Sequence, residues 1–438
     1  MSHHVYSVLE QLLIRYFVLV VAVVAESAWV KHQDPGVSQE NLLRYRRSGT
    51  FSVEQESHNA FEAFAKLCLT FRKPASAWLP SGQGQIPARE VRRVPLLSGA
   101  ALRQRDKYMK TVQKEANITA VCGGQPLMPQ PIPQFLVPYH ETTVALTEKA
   151  LADKTLRCTR RLQYGVDAHQ VLDVWAPASG GSGLPIVMAI HGGGWEVGYP
   201  EWTGFPALHV CAAPALYVTP AYTLGGFERQ AWPASRDDLL AALRWISEHA
   251  IEFGGDASRI VLTGHSAGAH LASCLGLNPD LLQEAGLSAS AIRALFLVSG
   301  PIGLRAQDIS PWRWLWRIWP GRLLIRFLFR KLAPQLRAVI GDPPDPAVVQ
   351  EASALANTFS CDPQLLPGLV HITYGGKGDF PFCKAQAKQL KSLLGRISGG
   401  PRVEILELPK AKHLDTHYEL ANSDSPWYAA LRQALSAI

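Results

Sequence analysis

Residues 260–277 read Ile260-Val261-Leu262-Thr263-Gly264-His265-Ser266-Ala267-Gly268-Ala269-His270-Leu271-Ala272-Ser273-Cys274-Leu275-Gly276-Leu277. Ile260 to Thr263 is a short apolar, β-branched run, and Ala269 to Leu277 carries small and apolar residues in a helical pattern. Ser266 falls between them, at a sharp strand-to-helix turn. A serine there is held in a strained backbone conformation. Its neighbours at minus two and plus two must be small for the chain to pass, hence Gly264 and Gly268. The same turn exposes the Ser266 hydroxyl at a helix N-terminus, where the dipole favours developing negative charge.

Working outward, β-rich runs alternate with helical patterns from about residue 155 onward. The runs are Val171 to Trp175, Ile186 to Ile190, Leu216 to Thr219, Ile260 to Thr263, Ala294 to Ser299, Leu369 to Tyr374 and Val403 to Leu408. A helix is expected over Asp237 to His249, with Ser235 and Asp238 as a capping box and Leu239, Leu240, Leu243 and Ile246 on one face. Such alternation predicts a mostly parallel central sheet flanked by helices. The strand Ile186 to Ile190 ends in His191-Gly192-Gly193-Gly194-Trp195, 75 residues before Ser266. Consecutive glycines let backbone N–H groups converge on one point, as a tetrahedral oxyanion requires. Gly193, Gly194 and the amide of Ala267 are the expected donors. A phosphate-binding turn is the other use of such a loop, but the GxGxxG spacing and the lysine of a P-loop are missing.

These two motifs resemble the α/β-hydrolase fold, and within it the hormone-sensitive-lipase-like carboxylesterases with an HGGG loop. The resemblance covers roughly residues 158–438 and includes Phe253-Gly254-Gly255-Asp256 with Arg259-Ile260. More narrowly, Gly193-Gly194-Trp195, Gly198-Tyr199, Trp202 and Gly264 to His270 are similar to the isoprenylcysteine methylesterase and kynurenine formamidase branches. It implies a catalytic domain over 151–438 and a triad in the order Ser, acid, His. Asp379 follows the strand Leu369 to Tyr374 where the family carries its acid. His413 follows Val403 to Leu408 where the family carries its base. Asp362 precedes the acid strand, Asp415 adjoins the histidine, His417 is the reserve base, and His371 lies inside a strand as a packed residue. The chemistry implied is hydrolysis of a hydrophobic acyl or methyl ester by Ser266, His413 and Asp379 with neither metal nor organic cofactor. The alternatives are an arylformamidase or amidase and a non-catalytic binding scaffold.

The formal charge of +7 comes from 43 Lys and Arg against 36 Asp and Glu. Seven of the basic residues, Arg313, Arg317, Arg322, Arg326, Arg330, Lys331 and Arg337, fall in one acid-free segment. Without them the chain is balanced, which argues against a nucleic-acid footprint and for one local anionic surface. That segment lies in an insertion over 302–350, where a helical lid is expected. Trp312, Trp314, Trp316 and Trp319 beside the Arg322, Arg326 and Arg330 stripe suit an interfacial helix or, alternatively, a packed cap. Residues 1–30, with the apolar run Tyr16 to Ala25, read as a signal peptide or membrane anchor. Together these imply a membrane-associated protein of the endoplasmic reticulum or secretory pathway. Residues 31–150 form an N-terminal accessory or cap region, with a helix over Val53 to Phe71, one sequon at Asn117 and a Pro-rich stretch, Pro126 to Pro138. The seven cysteines show no CxxC pair and support neither zinc nor a disulfide framework.

Overall fold

The computed structural model describes residues 120–438 apart from 129, 131, 227–229, 306–307, 309–335, 342–343 and 357–361. All seven expected strands are present, within a sheet of eight. In chain order the strands among the described residues are β1 (Val121–Cys122), β2 (Gln125–Pro126), β3 (Leu156–Gln163), β4 (Val171–Pro177), β5 (Leu184–Ile190), β6 (Leu216–Pro220), β7 (Gly255–His265), β8 (Ile292–Val298), β9 (Leu369–Gly375) and β10 (Arg402–Leu408). The large sheet runs β10-β9-β8-β7-β5-β6-β4-β3, and β1-β2 is a separate hairpin. Within the large sheet only the pairings of β4, with β3 and β6, are antiparallel. This is the α/β-hydrolase sheet, mostly parallel and flanked by helices.

All seven residues of β5 are buried, as expected of a strand covered on both faces. Alternation then divides them between two layers. Ile186, Met188 and Ile190 pack with Leu239, Leu243 and Ile246 of helix α1 (Ala234–His249) and Leu271 and Leu275 of helix α2 (Ala267–Gly276). Val187 and Ala189 face Trp427, Tyr428 and Leu431 of the last helix (Pro426–Ala437). From β5 the chain crosses to β6 on one side and returns to β7 on the other, so a crevice opens at the carboxyl ends of β5 and β7, the place where such sheets bind ligands. The His191 loop leaves β5 at that end, and Ser266 follows β7.

One local expectation is corrected. Helix α1 begins at Ala234 with Pro233 as N-cap, so Ser235 lies inside the first turn, its buried hydroxyl without a hydrogen-bond partner among the described residues. Asp238 makes no capping box. Its carboxylate accepts from the amides of Thr223 and Gln170 at 2.7 Å each and meets His169 Nε2 at 3.2 Å, tying the helix to the loops beside β4 and β6. Among the elements that had not been expected are strand β3 and the helix Val137–Ala152. The interior of that helix mixes Tyr139, Val144 and Ala150 with buried His140, Thr143 and Thr147, which hides its apolar periodicity. In β3 the guanidinium of Arg160 is buried between Asp173 and Glu201, so an interior position carries a charge.

The Val53–Phe71 helix, the Tyr16–Ala25 run, the sequon and the Trp and Arg cluster over 312–331 lie outside the described residues. Among the described residues no helix is long and apolar enough to cross a membrane.

Candidate active site

Ser266 has φ 54° and ψ −119°, a conformation that costs a non-glycine residue about 1–3 kcal/mol. The surroundings over-determine it. Its amide donates to Val298 O of β8 at 2.9 Å, and its carbonyl accepts from His270 N at 3.2 Å within helix α2. A Cβ at Gly268 would lie 1.9 Å from Ile190 O, so this turn presses directly on the end of β5 and tolerates no side chain there. The half-buried hydroxyl therefore stands on top of the sheet.

His413 Nε2 lies 2.9 Å from Ser266 Oγ, and His413 Nδ1 lies 2.9 Å from Asp379 Oδ1. Asp379, Ser266 and His413 are thus brought together. Four donors converge on the Asp379 carboxylate: His413 Nδ1 and Phe380 N (2.7 Å) at Oδ1, Gly375 N (2.7 Å) and Ser299 Oγ (2.7 Å) at Oδ2. Burial pushes this carboxyl upward, but the hydrogen bonds from His413, Gly375 and Ser299 outweigh it and hold the pKa below the usual carboxylate range. The acid and histidine loops are fastened to each other by Gly376 N to Ala411 O at 2.8 Å and His413 N to Gly378 O at 3.1 Å.

The weighed alternatives lie elsewhere. Asp362 caps a short turn ahead of β9 by accepting from Gln364 N at 2.9 Å, and Asp415 accepts from Lys412 N at 2.9 Å. His417 is buried, bonded through Nδ1 to Tyr139 Oη at 2.9 Å, and held near 3 by burial and then by His413. His371 stacks on Phe296 at 4.9 Å inside the sheet.

The loop after β5 runs beside the serine. A Cβ at Gly192 would stand 3.3 Å from Ser266 Cβ. Gly193 (φ 121°), Gly194 (φ 63°) and Trp195 (φ 63°) follow in succession with positive φ, and at Gly193 a Cβ would strike Val197 O at 1.8 Å. Among the described residues the amides of Gly193, Gly194 and Ala267 give their N–H to no backbone carbonyl. Trp195 is the one bulky residue in this run. Its indole N–H donates to His270 Nδ1 at 3.2 Å, while His270 Nε2 meets Ala352 O at 2.7 Å, which fixes the tautomer with the proton on Nε2. Burial holds His270 near 4, so the neutral acceptor persists.

Several residues of the site gave no signal in the sequence. Ser299, itself at φ 47°, donates to Asp379 while accepting from Thr416 Oγ1 at 2.8 Å. His265 Nε2 meets the carbonyl of His413 at 2.9 Å and its ring lies 4.8 Å from those of His413 and His417. Residues 120–152 also reach the site's outer rim. The Gln130 amide donates to Gly198 O at 2.7 Å and accepts from Gly198 N at 2.9 Å, and Trp202 Nε1 donates to His140 Nδ1 at 2.9 Å. Among the described residues no group of histidines, cysteines and carboxylates could hold a metal ion.

Comparison with known proteins gives a match to the BD-FAE family model over residues 172–294, the span from β4 to β8. The chain is 42% identical over 94 residues to the carboxylesterase NlhH of Mycobacterium tuberculosis, covering 21% of this chain and 28% of that protein. It is 26% identical over 262 residues to the isoprenylcysteine α-carbonyl methylesterase ICME of Arabidopsis thaliana, covering 58% of this chain and 56% of the relative. The chain thus spans between about a quarter and three fifths of the length of these curated relatives. Among solved structures, esterase B from Lactobacillus rhamnosis matches with a TM-score of 0.49 and 20% identity, over 68% of this chain and 92% of that one. The sequence relatives are carboxylesterases, in keeping with the resemblance carried by the two motifs.

Proposed function

We propose that this chain is a serine esterase that hydrolyses a hydrophobic carboxylic ester through Ser266, His413 and Asp379. The observation that carries the reading is the continuous relay from Ser266 Oγ through the His413 ring to Asp379, 2.9 Å at each step, built on a serine with φ 54°. As Ser266 Oγ attacks the acyl carbon, His413 Nε2 takes its proton, and Asp379 keeps the other ring proton on Nδ1 and stabilises the imidazolium. The carbonyl oxygen, now negative, lies toward the amides of Gly193, Gly194 and Ala267. Collapse breaks the bond to the alcohol oxygen, which leaves with the proton from His413. Water then attacks the acyl-serine with the same histidine as base, and the carboxylic acid departs. Nothing in these steps draws on a group beyond the chain's own residues and water.

The test is labelling by a fluorophosphonate together with hydrolysis of p-nitrophenyl acetate. The wild-type protein should be labelled at Ser266 and turn over the ester. Ser266→Ala should do neither while keeping its melting temperature. A folded Ser266→Ala variant that retained more than about a thousandth of the rate would exceed what oxyanion stabilisation and binding alone supply, and the assignment would fail. Comparison with N-formyl anilides decides between the ester and formamide readings.

A further inference from the structure

Phe380 is the residue next to the acid, and its position follows from the acid's own hydrogen bonds: Phe380 N donates to Asp379 Oδ1 at 2.7 Å, just ahead of the helix Pro381–Leu394. The residue is 44% exposed. Single exposed apolar side chains are ordinary and need no explanation. This one differs in what it touches. Its centroid lies 4.3 Å from that of His413, tilted by 56°, and it stacks on Phe382 at 5.1 Å and 10°. The His413 ring therefore has a buried aromatic neighbour, His265, and an exposed one, Phe380.

We propose that the Phe380–Phe382 pair is the surface on which the alcohol part of the substrate lies, so that the enzyme selects esters whose alcohol is apolar and larger than methyl. This inference rests on the serine-esterase reading. The argument is one of proton geometry. To protonate the departing oxygen, His413 Nε2 must come within roughly 2.6–3.2 Å of it. The carbon chain attached to that oxygen then lies over the solvent-facing side of the imidazole, where the exposed neighbour is Phe380. The acyl chain is directed differently, because its carbonyl oxygen is turned toward Gly193 and Gly194 in the loop after β5. Phe380 should therefore sense the alcohol and not the acid. The stacked partner Phe382 is half-buried against the core, which holds the exposed ring in place.

The experiment measures kcat/KM for two series: acetates of methanol, butanol and hexanol, and methyl esters of acetic, butyric and hexanoic acid. In the wild-type protein hexyl acetate should exceed methyl acetate by roughly tenfold or more, the discrimination available to a few methylenes in contact with an apolar wall. In Phe380→Ala the hexyl to methyl acetate ratio should collapse toward one while the hexanoate to acetate ratio of the methyl esters stays as in the wild type. Phe380→Leu should restore most of the alcohol preference. A wild-type protein labelled at Ser266 but indifferent to alcohol length overturns the proposal, with no variant needed. So does a Phe380→Ala variant in which every ester slows by the same factor and both ratios stay as in the wild type, since that is the signature of a ring that merely steadies His413. Absence of labelling and of all ester turnover in the wild type instead removes the serine-esterase reading itself.

Discussion

Replacing Asp379 by Asn tests the relay where the structure specifies most. All four groups facing the carboxylate are donors, and two of them, Gly375 N and Phe380 N, are backbone amides that cannot reverse their role. An Asn side chain must therefore aim its NH2 at one fixed N–H or the other. With NH2 toward Gly375, the amide oxygen still accepts from His413 Nδ1 and the ring keeps its tautomer. With NH2 toward Phe380 and His413, the ring must present a bare Nδ1 and carry its proton on Nε2, where it cannot take the proton of Ser266. Each orientation leaves one buried amide unsatisfied at about 1–3 kcal/mol, so neither dominates and the wrong tautomer is well populated. In both, the imidazolium loses its anionic partner, worth about 4 kcal/mol for charges 4 Å apart at an effective dielectric constant of 20. Together these amount to about 4–5.5 kcal/mol in the barrier, or a kcat lower by about 10³ to 10⁴, in line with the known cost of the same exchange in serine proteases. Turnover of p-nitrophenyl acetate at pH 8, with thermal unfolding to show that the variant is folded, reads this directly. A folded Asp379→Asn protein within about thirtyfold of wild type would mean that Asp379 does not orient His413 during turnover.

Trp195→Phe should lower kcat by roughly tenfold or more with little change in KM, because the lost bond to buried His270, about 1–3 kcal/mol, is comparable to the strain of φ 63° that it opposes. In a double-mutant cycle, adding His270→Phe should then cost little more, and additive losses would show that the two residues act separately. A third prediction concerns acid. Burial holds His191, His270 and His371 near 4 and His417 near 3, whereas in the unfolded chain these rings titrate near 6.5. Between those values the unfolded state binds more protons, so stability falls as pH drops below 6.5, by up to about 5 kcal/mol per pH unit for four rings. The melting temperature should fall steeply from pH 6.5 toward pH 4.5, and a flat profile there would contradict the buried neutral histidines. Asp379, held low, contributes stability that is lost only further down, as pH falls through its folded value.

What could be read in the sequence and what could not divide along a physical line. Inner strands of the parallel sheet such as β5 are buried on both faces and so appear as uninterrupted apolar runs. Ser266 and the glycines around it were legible because the backbone there permits few residues, and a constraint on φ or on approach distance writes itself into residue type. Gly268, packed 1.9 Å from Ile190 O in the position a Cβ would take, is such a constraint. Asp379 and His413 were found only through the family's ordering, since a lone Asp or His in a loop carries no local signature. Ser299, His265 and Phe380 were not found at all. Their parts in the site depend on distances across 80, 148 and 33 residues of chain, to Asp379 and His413, and nothing in the neighbouring sequence reports them.

The same distinction explains how the site is held. Ser266, the Gly192–Trp195 loop and His413 belong to three different strand ends, β7, β5 and β10, and the sheet alone fixes only where those ends emerge. Their mutual orientation is set by buried neutral imidazoles that each join two loops. His270 on helix α2 accepts from Trp195 in the loop after β5, and His265, adjacent to Ser266, holds the carbonyl of His413. His417 carries the base loop to Tyr139 in the segment ahead of the sheet. A neutral imidazole offers one donor and one acceptor on a rigid ring, so it can bridge two loops without introducing a charge beside the base. Protonation of any of them would replace an acceptor by a donor, and at His265 or His417 it would put a positive charge beside His413. Burial, which pushes all three below 6.5, is therefore what keeps both the site's geometry and its basicity at neutral pH.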